Sequence, residues 1–176
     1  MICITEILKL KGDKKALVPD GNWIAVEGGG QYKGYEYLIV LNTLGHRCGY
    51  VAIPDEHPYS KTPLEYREFN GREWKHYDYN TLEIECHGGL TFMSPTHGLK
   101  DLLPIACNDM WIGFDCGHCW DKSDIEATRE YYGEEHVKKH QTFFDATSFD
   151  PTEHIKSYAY AESECKSIIE QLMVAA

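Results

Sequence analysis

Positive charge is in short supply in this sequence. Its 17 Lys and Arg residues face 28 Asp and Glu, a formal net charge of −11, which works against nonspecific attraction to nucleic acid or to an anionic membrane surface. A phosphate-bearing ligand therefore needs basic groups gathered locally. Long apolar runs are lacking as well. No stretch approaches the roughly 18 residues that cross a bilayer, and MICITEILKLKGDKK at the N-terminus has neither a basic segment before an apolar core nor a small-residue cleavage site. We expect a cytoplasmic protein with no membrane partner.

Familiar catalytic signatures are also missing. Gly28-Gly29-Gly30 lacks both the Lys-Ser/Thr of a phosphate loop and the Gly-x-Gly-x-x-Gly spacing, and no Gly-x-Ser-x-Gly elbow occurs. No internal repeat, low-complexity tract or dividing linker breaks the chain, so residues 1–176 are read as a single domain. At 43% hydrophobic and 26% charged, the composition is that of a soluble globular protein. Seven cysteines, an odd number without a secretion signal, point to reduced thiols rather than a disulfide framework.

What is present is mostly strand pattern. ICITEILKL at the N-terminus suits strand or helix, whereas WIAVEGG, YEYLIVLN (35–42) and CGYVAIP (48–54) read as strands, the last two joined in a hairpin at Leu44-Gly45-His46-Arg47. Segment 57–79 is polar and aromatic and is read as a long excursion with at most a short helix. TLEIECH (81–87) alternates as a strand with His87 ending its polar face, and LTFM and DMWIGFD (109–115) follow as strands. Residues 122–140 are partly helical and FFDATSFDP is a connector. A final helix starts at Asp150 as N-cap with Pro151 and Glu153 behind it, and buries Ile155, Tyr158, Ala159, Glu162, Cys165, Ile169 and Leu172 on one face. The expected fold is α+β: a mainly antiparallel sheet of five or six strands with a C-terminal helix packed on it.

The chemistry concentrates in two short segments. His87 is followed by Gly88-Gly89, which allow a tight turn and close approach to a ligand, and Asp115, His118 and Asp121 follow a neighbouring strand. Two imidazoles with carboxylates nearby suit general acid and base work in hydrolysis or phosphodiester cleavage, and the same side chains suit a divalent metal. Cys116-Gly-His118-Cys119 offers half of a zinc site, whose other ligands would have to come from Cys86-His87 on a separate strand. Cys116 lies opposite Asp115 in the strand alternation and so points to the core. Arg47 is one of few basic residues beside strands, with the planar fork that grips phosphate. Tyr32, Tyr35 and Tyr37 suit either base stacking or an amphipathic strand face.

GHRCGYVAIPDEHP (45–58), ECHGGLTF (85–92), WIGFDCGHCWD (111–121) and the final SYAYAESECKSIIEQL (157–172) together resemble a family of small proteins encoded by bacteriophages and prophages. The matched positions are His46, Arg47, Cys48, Gly49, His57, His87, Gly88, Gly89, Thr91, Asp115, Cys116, His118 and Asp121, with Cys119 a local departure. The resemblance implies a phage setting, where accessory proteins act on host nucleotides or interfere with host defence. The leading expectation is a hydrolase or phosphodiesterase acting on a nucleotide or nucleotide-derived signal. In it His87 and His118 are the acid and base, and Asp115 and Asp121 orient them or bind a metal. Arg47 holds the substrate anion, with His46, His57, Gly88, Gly89 and Thr91 lining the ligand. Two alternatives stand beside it: a non-catalytic protein that sequesters a nucleotide or blocks a host protein, and a metal-stabilised structural module.

Overall fold

Alternating and near-continuous apolar runs become the central sheet. The structure, a computed structural model, describes residues 8–9, 24–61, 65–69, 72–76, 82–94, 110–146 and 154–176. Five strands, β1 (Ile24–Tyr32), β2 (Tyr35–Asn42), β3 (Arg47–Ile53), β6 (Phe92–Ser94) and β7 (Met110–Asp115), form one sheet in the order β1-β2-β3-β7-β6. Every pairing in it is antiparallel. β2 and β3 are buried nearly end to end, which is why they read as apolar runs. Alternate residues of β2, β3 and β7 serve two cores. Tyr37, Ile39, Val51, Ile53, Ile112 and Phe114 face one, and Leu38, Val40, Cys48, Tyr50, Ala52 and Trp111 face the other.

The first core is closed by the C-terminal helix α4 (Tyr158–Ala175), through Ala161, Cys165, Ile168, Ile169 and Leu172. Gly49 makes the close fit possible: a Cβ there would lie 2.4 Å from the Phe114 ring and 2.7 Å from the Cys165 sulfur. The helix begins later than the sequence suggests. Its N-cap is Ser157, whose hydroxyl accepts from the Tyr160 amide, while Asp150, Pro151 and Glu153 lie outside the described residues. Ile155 and Ala159, expected on the buried face, are exposed. Ile155 belongs instead to β9 (His154–Ile155), which pairs in parallel with β8 (Asp121–Lys122).

Three shorter helices, α1 (Ile125–Tyr132), α2 (Glu134–Lys139) and α3 (Gln141–Ala146), follow β8. The last of them takes in Phe143 and Phe144, so the expected connector is helical over its first residues. The excursion after His57 carries a 3-10 turn (Pro58–Lys61) and a hairpin of β4 (Glu65–Phe69) and β5 (Arg72–His76), more structure than its polarity suggests. Asn70-Gly71 between those strands is the dipeptide that favours a two-residue hairpin. The N-terminal ICITEILKL falls almost wholly outside the described residues.

The segment 82–87 is not a strand, contrary to its alternation. Leu82 is buried and Glu83 and Glu85 are exposed, so the alternation of faces is real. Glu83, however, has φ 47, which breaks the extended run. The backbone then pairs with side chains of α4: the Glu85 amide donates to Gln171 Oε1 at 2.7 Å, Gln171 Nε2 donates back to the Glu85 carbonyl at 2.7 Å, and the His87 amide donates to Glu164 Oε2 at 2.8 Å.

Candidate active site

Four pieces of chain meet around one carboxylate. Asp121 opens β8, His118 sits in the turn after β7, His87 ends the segment laid on α4, and Lys156 and Tyr160 come from the approach to α4 and its first turn. The turn is locally encoded: the Asp121 amide donates to the His118 carbonyl at 2.9 Å, and the Asp121 carboxylate reaches back to the His118 amide at 3.1 Å.

Asp121 is fully buried, and a buried carboxylate must be paired or lose its charge. Its Oδ2 accepts from His87 Nε2 at 2.7 Å and from His118 Nδ1 at 3.1 Å, besides the His118 amide. Burial is the largest influence on Asp121 and raises its pKa. The hydrogen bonds from His87 and His118 together outweigh it and hold the carboxyl below its ordinary value. The carboxylate is ionised and can only accept, so both facing nitrogens carry protons. His87 turns Nε2–H to the carboxylate, and its Nδ1 pairs with the Tyr160 hydroxyl at 3.0 Å. His118 turns Nδ1–H to the carboxylate and Nε2 away from it. That atom makes no hydrogen bond among the described residues, and the ring is 20% exposed. Lys156 Nζ stands 3.8 Å from Asp121 Oδ1, an oxygen that is buried without a hydrogen-bond partner, and 5.2 Å from the centre of the Tyr160 ring.

Two neighbours shape His118. The Trp120 indole stacks on it, ring centres 5.1 Å apart and planes 5° from parallel. Gly88 closes the other approach: with φ 66, a Cβ there would fall 2.0 Å from His118 Cε1. Gly88→Ala is expected to push the imidazole off Asp121. Gly89→Ala, at φ 88 with nothing within 4 Å of its Cβ, is expected to leave the ring in place and lose only about 1 kcal/mol of stability. The histidine ring NMR signals of the two variants check the contrast.

The other expected site residues go elsewhere. Asp115 accepts from the Gly117 amide at 2.9 Å, closing a turn, and contacts neither imidazole of the cluster. Arg47 is not available to hold a substrate anion. Its Nε and NH2 donate to Glu27, and NH1 donates to Asp124 and to the Lys156 carbonyl. The Arg47 side chain is 7% exposed. His57 is buried, accepts the Tyr59 amide at Nδ1 and donates from Nε2 to the Leu172 carbonyl at 3.0 Å, pinning the end of α4. Thr91 donates its amide to the Gly113 carbonyl beside β6. Tyr160, Lys156 and Trp120 are the residues that sequence reasoning missed. Trp120 adjoins Asp121 in sequence and was within reach, whereas nothing local marks Tyr160 or Lys156.

His46 packs behind the turn, its Nε2 3.3 Å from Ser123 Oγ, and burial lowers its pKa. A lowered histidine pKa favours the neutral ring in the folded state, so this contribution to stability is full above the ordinary histidine range near 6.5 and is lost as pH falls through the folded value. Thermal unfolding of His46→Gln is expected to depend less on pH below about 6.5 than that of the wild type.

Among the described residues, His87, His118 and Asp121 form the one group able to offer three metal ligands, their donor atoms all within 4.8 Å of one another. A dication there would have to displace the protons on both nitrogens and tolerate the Lys156 ammonium. Among the described residues the cysteines take no part. Cys116 is buried with its thiol pushed up by burial, Cys86 is pushed up to about 12 by burial, and Cys119 is exposed. A His-x3-His spacing that the zinc reading left out of account, His136 to His140, brings its rings to 4.3 Å at a 38° tilt but commits His136 Nε2 to the Thr43 carbonyl and His140 Nδ1 to the His136 carbonyl. No described helix is long and apolar enough to cross a membrane. No family model matches the chain, and neither the curated proteins nor the solved structures give a match.

Proposed function

We propose that the chain hydrolyses a phosphate ester by acid–base chemistry centred on His118, in the phage or prophage setting that the motif resemblance implies. The observation that carries this reading is the single buried oxygen of Asp121 shared by two imidazoles, which leaves one of them with an uncommitted Nε2. His118 Nε2 takes a proton from the attacking water as its oxygen bonds to phosphorus. Asp121 stabilises the imidazolium so formed, and the proton then passes to the ester oxygen as the phosphorus–oxygen bond breaks. Lys156 offsets the phosphoryl charge, supplying the local cation that the acidic chain requires. His87 holds Asp121 in place and is itself held by Tyr160.

The test is a panel of phosphomonoesters, phosphodiesters and nucleotides, each incubated with and without a chelator and analysed after denaturing the protein. Turnover indifferent to chelator, and reduced about 100-fold or more by His118→Ala, is the expected result. Chelator-sensitive turnover would replace the acid–base reading with a metal-assisted one on the same three residues. Ligand recovered intact would point to sequestration.

A further inference from the structure

Among the residues whose burial is described, Trp120 is the large aromatic side chain that the fold leaves mostly in solvent: it is 54% exposed, while Trp111 is wholly buried. It is not on a loose tip. The turn from Cys116 to Trp120 is closed by the Asp121–His118 hydrogen bond at one end, and β8 is pinned to β9 directly after it. One face of the indole is covered by the parallel His118 ring. The opposite face is where exposed apolar surface remains, beside the residue assigned as base. β9 then leads straight into Lys156, whose ammonium lies 3.8 Å from the far oxygen of Asp121, so the hydrogen-bonded His118–Asp121 pair has an aromatic platform on its imidazole and a cation on its carboxylate.

We propose that the site takes a nucleotide, with the base stacked on the free face of Trp120 and the phosphate held by Lys156 next to His118. This rests on the phosphate-ester reading and names its substrate class. A planar base is the partner that uses a flat, fixed indole most fully, since every base has a π-face and stacking on aromatic side chains is strong and tolerant of base identity. Trp120 is thus a specificity residue and Lys156 an anion-binding one.

The experiment compares adenosine and uridine 5′-monophosphates with ribose 5-phosphate by ligand-observed NMR on the intact protein, in wild type, Trp120→Ala, Trp120→Phe and Lys156→Met. Wild type is expected to bind both nucleotides about tenfold more tightly than ribose 5-phosphate. Trp120→Ala should bring that ratio near one, Trp120→Phe should keep part of it, and Lys156→Met should weaken all three ligands together. The ratio is internal to each variant, so partial unfolding cannot imitate its loss. Equal binding of nucleotide and ribose phosphate by wild type, or a preference that survives Trp120→Ala, overturns the proposal. Base-selective binding without turnover of any phosphate ester would uphold it while removing the hydrolase reading. Turnover of base-free esters with no base preference would do the reverse.

Discussion

Asp121→Asn is expected to cut turnover by roughly 10³- to 10⁴-fold, the scale seen when a carboxylate that fixes a catalytic imidazole loses its charge. Asparagine keeps the size and one oxygen acceptor, so the turn from His118 to Asp121 can still close. What goes is the charge that, in the proposed reaction, stabilises the His118 imidazolium, along with the demand that both facing nitrogens carry protons. The buried carboxylate also gives the variant a stability signature. Its folded pKa is depressed by the two histidines against an opposing effect of burial. Its contribution is therefore full above the ordinary carboxylate pKa near 3.9 and disappears as pH falls through the folded value. Single-turnover rates and acid unfolding of the two proteins measure both effects. Full activity in Asp121→Asn would remove the carboxylate from the mechanism.

Arg47→Met is expected to be the most destabilising single change, by about 3–5 kcal/mol, because it strands Glu27 as an unpaired buried charge. The pair is lopsided. Arg47 is held up by Glu27 and Asp124 against the cost of its burial, whereas Glu27, dependent on Arg47 for its hydrogen bonds, has its pKa raised by burial despite that partner. Glu27→Gln/Arg47→Met should recover part of the loss, since no stranded charge remains at position 27. Denaturant unfolding gives the stabilities. The sequence expectation that Arg47 holds the substrate makes the opposite prediction for function: the KM of the folded fraction would rise. A KM unchanged in Arg47→Met under stabilising conditions supports the buried-network role.

The strands were legible where both faces of the sheet are covered. β2, β3 and β7 announce themselves as short, nearly continuous apolar runs because almost every residue in them is buried. Alternation misleads at 82–87, since it reports which faces are buried and says nothing about what the backbone bonds to. The convergence of His87, His118 and Asp121 was foreshadowed by the density of polar groups after two turns. Asp115 was drawn in by the same density, although its carboxylate serves its own turn. Arg47 shows another limit: a sequence does not say whether a guanidinium beside a strand answers a ligand or a buried acid. Glu27, a charge inside the otherwise apolar and small WIAVEGG, was the available clue.

The pairing of the 82–87 segment with Gln171 and Glu164 gives His87 an unusual kind of address. A strand ladder is blind to sequence, because any residue supplies the same amide and carbonyl. Here the location of an imidazole of the candidate site is written in the identity of two helix side chains. The position of His87 is therefore open to side-chain substitutions on α4 that leave the sheet untouched.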